Sequence, residues 1–271
     1  MTIHPTAIIE SDARIAQGVI IGPYCVVGPH AELAEGVVLH SHVVIKGHTE
    51  IGSGTVVHSH CVLGGPAQMR RNNPPGMRLV IGSENILREG VTISTGSSAG
   101  HGITTIGNRC YLMAASHVGH DCIVGDDVTL SNGAQLGGHV EIGDGAILGG
   151  LAAVQQFGRV GRYAFISGLS GVTTDVIPYG MAIGLHVRLG GLNLIGLRRR
   201  GIPRERIHAL RAAYRIIFLE GDGRIQDRAA HVGARWPEMP EVQEVVAFIL
   251  AEAKRPICPA RSREGASDSE E

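Results

Sequence analysis

Isoleucine, valine or leucine occupies every sixth position from Ile3 to Leu63, through Ile9, Ile15, Ile21, Val27, Leu33, Leu39, Ile45, Ile51 and Val57. The row resumes at Ile81, Leu87 and Ile93, and again from Ile106 through Leu112, Val118, Val124, Leu130, Leu136 and onward to Val172. A six-residue period fits neither a helix nor a simple alternating strand. It describes one short strand and one corner, repeated as a solenoid. In solenoids of this repeat three hexapeptides close one triangular coil, so residues eighteen apart stack about 4.8 Å apart, one strand spacing. That stacking predicts columns: His30 over His48, His40 over His58, His42 over His60, then His120, Gly138 and Gln156, and beside them Asp121, His139 and Phe157.

Two interruptions break the row. Residues 65–80 lack the repeat yet return in phase, and the segment from Gly96 to Thr105 shifts the phase by one. Both read as loops projecting from a rigid scaffold, where binding function concentrates. The repeat fades at Pro178, and residues 1–187 form the solenoid domain of this reading. Residues 188–256 read as a helical domain. One amphipathic segment opens at Pro203 and ends at Gly221 and Gly223, a short helix is expected near Ile225 to Val232, and another runs from Glu241 to Ala253. Residues 257–271, rich in Pro, Ser, Arg and acids, read as a disordered tail.

Composition narrows the function. The chain has 271 residues, a formal net charge of -1 and 4% aromatic residues, which argues against a nucleic-acid binder. No apolar run approaches about 18 residues, so no transmembrane segment is expected. Ile3 already belongs to the repeat, so no leader is expected and a cytoplasmic protein is inferred. Cys25, Cys61, Cys110 and Cys122 each fall four places after a repeat hydrophobe, a slot that elsewhere holds alanine, and they read as small inward fillers. Cys258 has no assignment.

The densest polar cluster is Ser116-His117-Val118-Gly119-His120-Asp121, with His139 expected one coil above. A histidine beside a carboxylate suits a general base, since the carboxylate fixes its tautomer and supports the imidazolium. Gly138, stacked on His120, offers a bare backbone N–H to a developing oxyanion. Corner-capping histidines are the bland alternative, and three-histidine zinc binding is a chemical rival whose spacing does not fit. Eight arginines between His186 and Glu220 face two acids, which suits phosphate or an acidic partner.

These residues resemble a known family, the acyl-carrier-protein-dependent UDP-N-acetylglucosamine O-acyltransferases that begin lipid A synthesis. The resemblance rests on Ile21 to His30, Ser41-His42-Val43-Val44, Ser116 to Cys122, Gly137-Gly138-His139-Val140, Gln156-Phe157, and Asn193 with Leu197 to Gly201. It implies a mainly β fold, a left-handed parallel β-helix with a C-terminal α-helical domain, assembled as a homotrimer with active sites between subunits. It also implies transfer of an (R)-3-hydroxyacyl chain from the phosphopantetheine thioester of acyl carrier protein, a co-substrate, to the sugar 3-position, with no cofactor and no metal. By resemblance His120 is the general base, Asp121 orients it and Gly138 supplies the oxyanion N–H. Gln68, Arg71, His117, His139, Gln156, Asn193, Arg199 and Arg200 would hold substrate, and Gly168 would govern acyl length. An acidic carrier protein would meet the arginine-rich helical region.

Departures from the family pattern are Met69 for aspartate, Ser94 and Gln155 for histidine, Ile195 for glutamate and Arg71 for lysine. Most of these surround the acceptor, so the 3-amino analogue of the sugar is an open alternative, as is a sugar-nucleotide N-acetyltransferase using acetyl-CoA. A purely structural or ligand-binding solenoid is the non-catalytic alternative.

Overall fold

The computed structural model describes residues 1–70, 74–220 and 222–261. Short parallel strands build three sheets of eleven, nine and eight strands, which are the faces of a triangular prism. Face I begins with Thr2–Ile3, face II with Ile8–Ile9 and face III with Arg14–Ile15, and each coil adds one strand to each face. The register carries the repeat directly: Ile3 pairs with Ile21, Ile9 with Val27 and Ile15 with Leu33 of the next coil or its successor on the same face. The first interruption adds twelve residues, two whole hexapeptides, so Ile51 pairs with Ile81 and the phase is kept. The second adds seven, so Ile81 pairs with Ile106 and the phase moves by one.

The repeat hydrophobes point inward. Ile21, Leu39, Val57, Leu87, Leu112, Leu130 and Leu148 are buried in a continuous column, each contributing about 1.5–3 kcal/mol by leaving water. The four cysteines of the repeat are buried beside them, and burial pushes the thiols of Cys61 and Cys122 up to about 12, which makes them inert fillers. Some polar residues share the interior. Asn85 donates to the carbonyls of Gly82 and Gly107, each at 2.9 Å, and accepts from the Cys110 N–H at 2.7 Å. Its burial is thereby satisfied.

The corners decide where chemistry can sit. The third residue after an inward hydrophobe turns with positive φ, as at Gly36 and Gly54, but also at His42, His60, Asp121, His139 and Phe157. A side chain there costs roughly 1–2 kcal/mol relative to ordinary helical or extended backbone, so these residues are held by the coils above and below rather than by local preference. The expected ladders form: His30 stacks on His48 at 4.2 Å, His40 on His58 at 4.7 Å and His42 on His60 at 4.9 Å.

Both interruptions leave from face II and return on face III, through the same corner. The chain leaves the solenoid through an antiparallel pair, Gly180–Ile183 with Arg188–Leu192, so residue 188 begins a strand and not a helix. Four helices follow: α1 (Leu194–Arg199), α2 (Arg204–Phe218), α3 (Ile225–Arg235) and α4 (Pro240–Leu250). Ile207, Leu210, Tyr214 and Ile217 of α2 are buried along one face, and Val232 of α3 and Val242 of α4 join that small core.

The disordered tail expected from residue 257 is corrected over 257–261. The Cys258 N–H donates to the Asp175 carbonyl at 2.8 Å, the Leu189 N–H to the Pro259 carbonyl at 2.9 Å, and Cys258 is fully buried. Composition alone hides this, because the solenoid supplies the open backbone edge that the segment pairs with. Residues 262–271 lie outside the described residues.

Candidate active site

The II–III corner gathers the titratable groups. Asp121 follows His120, and its φ of 58° swings its carboxylate inward until the side chain is fully buried. There Oδ1 accepts from the backbone N–H groups of Ser97 (3.1 Å) and Gly102 (3.0 Å), both on the second loop. Oδ2 accepts from the Ser97 hydroxyl at 2.5 Å and lies 2.8 Å from His120 Nδ1. Burial by itself would raise the Asp121 pKa, but these donors outweigh it and hold the carboxyl below its ordinary value. A carboxylate only accepts, so His120 Nδ1 carries the proton and Nε2 is left as the basic nitrogen.

Glycine at 138 is required by this packing. A Cβ there would sit 2.5 Å from both Cε1 and Nε2 of His120, far inside contact distance. The Gly138 carbonyl accepts from the Phe157 N–H at 3.0 Å, while its own N–H donates to no acceptor among the described residues. His139, also at a positive-φ corner, meets His120 edge-on at 5.0 Å and places Nε2 3.8 Å from Asp121 Oδ2. Burial lowers the His139 pKa, opposed by the Asp121 charge and reinforced by the charge of Lys254. His117 lies one strand earlier on face II, with Nδ1 2.8 Å from the Thr92 hydroxyl and its pKa lowered by burial. Gln156 is exposed on the next coil of the same column.

Ligand atoms of His120, Asp121 and His139 lie within 4.8 Å of one another, a grouping that could take a metal ion. The Asp121 oxygens, however, already accept from four protein donors, the setting of an orienting carboxylate.

Asn193, Arg199, Arg200 and Gly168 sit at other corners. Asn193 Oδ1 caps α1 by accepting from the Gly196 N–H at 3.0 Å, and its amide donates to the Tyr163 carbonyl at 3.0 Å. Arg200 lies over the Tyr163 ring at 4.0 Å and donates to the Gly145 carbonyl at 3.1 Å. Both belong to the III–I corner, and Arg199 is exposed beside them. Gly168 is exposed at the I–II corner, where a Cβ would meet only the Gly150 backbone, at 3.2 Å from its carbonyl oxygen. Gln68 is exposed on the first loop, and Arg71 lies outside the described residues.

Sequence reasoning missed the groups that reach Asp121 from elsewhere in the chain. Ser97 and Thr104 flank the second loop, and the Asp121 N–H lies 2.8 Å from the Thr104 hydroxyl. His101, on that loop, has Nδ1 3.7 Å from Asp121 Oδ1. Lys254 and Arg255 arrive from beyond α4, and no hexapeptide spacing signals them. Together with Phe157 and His139, His101 and Lys254 line a cavity of about 390 Å³ beside the II–III corner.

Two family models match the chain: UDP-N-acetylglucosamine O-acyltransferase, domain 2, over residues 175–258, and the bacterial transferase hexapeptide over residues 103–138. An acyl-[acyl-carrier-protein]–UDP-N-acetylglucosamine O-acyltransferase of Bartonella henselae is 41% identical over 256 residues, 94% of this chain and 93% of its own. The chain belongs to this acyltransferase family. The Caulobacter vibrioides enzyme of the same name is 54% identical over 180 residues, covering 66% of this chain and 68% of its own. A solved UDP-N-acetylglucosamine acyltransferase superposes with a TM-score of 0.93 at 35% identity, covering 97% of this chain and all of the other. The fold is accordingly the left-handed parallel β-helix with a C-terminal helical region. Among the described residues no helix is long and apolar enough to cross a membrane.

Proposed function

We propose that the chain transfers an (R)-3-hydroxyacyl group from the phosphopantetheine thioester of acyl carrier protein to the 3-hydroxyl of UDP-N-acetylglucosamine, the opening step of lipid A synthesis. One observation carries the reading: His120 is fixed by a buried carboxylate at 2.8 Å, with its other nitrogen packed against Gly138, whose N–H is unengaged among the described residues. His120 Nε2 takes the hydroxyl proton as the sugar oxygen attacks the thioester carbonyl. The Asp121 carboxylate stabilises the imidazolium that results. The Gly138 N–H donates to the oxyanion, the carbon–oxygen bond forms, and the carbon–sulfur bond breaks. The departing sulfur leaves as the thiol, taking the proton from His120. No cofactor enters this scheme, because the thioester supplies the activated acyl group.

A homotrimer completes the site. The outward rows of face I (Ile20, Val38, Val56, Ile86, Ile147) and of the first coils of face II (Ile8, Val26, Val44, Val62) are mostly aliphatic, with Tyr111 and Thr129 on face I and Thr92, His117 and Gln135 further along face II, while face III carries Arg14, Glu32, Glu50, Glu141 and Arg159. Packing face I of one copy on face II of the next covers both apolar rows. It also brings the His120 corner of one copy against the Asn193–Arg200 corner of its neighbour, so that residues on separate corners share one cleft. Arg198, Arg204 and Arg211 surround a cavity of about 640 Å³ in the helical region and have no ion-pair partner among the described residues, which suits an acidic carrier protein.

A second reading is acylation of the 3-amino sugar. Met69 and Ile195, 39% and 64% exposed, present apolar side chains at positions where the family carries carboxylates. Incubating the protein with 3-hydroxyacyl carrier proteins of several lengths and either sugar, with mass spectrometry of the products, tests both. An ester supports the main reading and an amide alone the second, whereas no product with either rejects acyl transfer from carrier protein. His120→Ala should lower turnover by about 100-fold or more in the same assay, and retention of a tenth of the activity excludes it as the base.

A further inference from the structure

The segment after α4 does not simply end the fold. It runs back across the catalytic corner and is pinned there at three points. Arg255 donates twice to the Gln156 carbonyl (3.1 and 2.9 Å), the Asp175 N–H donates to the Pro256 carbonyl at 2.8 Å, and Cys258 returns a bond to Asp175. This strap holds Lys254 Nζ 3.9 Å from the centroid of the Phe157 ring. Phe157 in turn stacks on His139 at 4.5 Å, with the rings 14° from parallel. A line of contact therefore runs from Lys254 through Phe157 and His139 to His120.

His139 and His120 both address Asp121 Oδ2, at 3.8 and 2.8 Å. A protonated His139 would compete for the carboxylate that orients the base. We propose that Lys254 is a positioning residue for acyl transfer, its ammonium over Phe157 adding to burial in keeping His139 neutral so that Asp121 remains paired with His120. The inference rests on the acyltransferase reading for its catalytic consequence, but not for the coupling itself. The charged and titratable groups facing His139 are Asp121, which favours its protonation, and His120, His101 and Lys254, which oppose it. Glu141, Arg159 and Glu252 line the same cavity. Arg159 is committed to Asp175 at 2.7 Å.

The test is Lys254→Met, which keeps an unbranched apolar stem on Phe157 and removes the charge, with Lys254→Arg as the conservative rescue. A unit charge across roughly 8 Å of partly solvated protein should shift the His139 titration upward by about half a pH unit. The midpoint is read by NMR of histidine-labelled protein, with the signal assigned by its loss in His139→Gln. The acid limb of kcat should move up by the same amount, a roughly threefold loss below the limb with the alkaline plateau unchanged, and Lys254→Arg should restore both. An unchanged His139 midpoint in Lys254→Met overturns the proposal whatever turnover does. A shifted midpoint with an unshifted acid limb overturns its catalytic half. Absence of acyl transfer by the unaltered protein rejects the acyltransferase reading instead and leaves the titration as the test of the coupling.

Discussion

Gly138→Ala separates the steric role of this glycine from the role of its N–H, because alanine keeps the N–H. The φ of Gly138 is not in the left-handed region, so alanine suits the backbone. The obstacle is the imidazole: the new methyl would lie 2.5 Å from Cε1 and Nε2 of His120, where an unstrained carbon contact needs about 3.5 Å. His120 must therefore retreat by about 1 Å. It is tied to Asp121 at 2.8 Å, and Asp121 is itself buried among the donors of the second loop. Retreat either breaks that bond or carries Nε2 away from the reacting hydroxyl. A displacement of this size costs about 100-fold in rate, or about 2.7 kcal/mol of transition-state stabilisation. The expected result is a loss of about 100-fold in kcat with KM for the UDP-sugar within about threefold, and a melting temperature changed by only a few degrees. The assay is initial-rate acyl transfer with 3-hydroxyacyl carrier protein, alongside thermal unfolding. In a His120→Ala background the same substitution should cost almost nothing further, since the group it displaces is gone. Retention of more than a tenth of the activity by Gly138→Ala, or full additivity with His120→Ala, would refute the steric argument.

Asp121→Asn tests the electrostatics of the corner. A carboxyl held below its ordinary pKa adds stability that is present above the usual carboxylate range and is lost as pH falls through that range and below it. Thermal unfolding followed from pH 6 down to about 3 should therefore fall more steeply for the unaltered protein than for Asp121→Asn, and parallel curves would disprove the assignment. At neutral pH the same variant should lose about 1–3 kcal/mol, because the amide oxygen can still accept from the Ser97 and Gly102 N–H groups but the N–H₂ that replaces Oδ2 cannot accept from His120 Nδ1. Asn85→Ala strands the Cys110 N–H and the Gly107 carbonyl, while the Gly82 carbonyl keeps the Thr55 hydroxyl, and should cost about 2–4 kcal/mol in urea unfolding; a change under about 1 kcal/mol would show that the coil relaxes around the loss. Val44→Glu, on the outward row of face II, should leave the single chain folded by circular dichroism but lower its mass in light scattering to that of one copy and abolish turnover. An unchanged mass would place the subunit contact on another face.

The six-residue period determined the prism, its inward row and its stacked columns, because a corner every six residues leaves the chain no other way to bury one aliphatic side chain per strand. It also put Gly138 over His120 and His139 beside them, since stacking at one strand spacing is a property of the repeat. The small slot that takes alanine takes cysteine for the same reason of volume. What the period could not convey is anything that crosses coils by a route other than stacking. That Asp121 turns inward to meet Ser97 and Gly102 depends on the path of a loop whose composition states only that it is a loop. That residues 257–261 pair with the solenoid depends on an edge left open by strands far away in sequence. The arrival of Lys254 at Phe157 follows from how α2, α3 and α4 pack, because three helices must fold back on one another before the chain can return to the corner. The sequence thus determined the scaffold and the neighbourhood of His120, Asp121, Gly138 and His139, while the tertiary structure alone decided which loops and which terminal strap surround them, since these contacts are set by long-range packing with no period of their own.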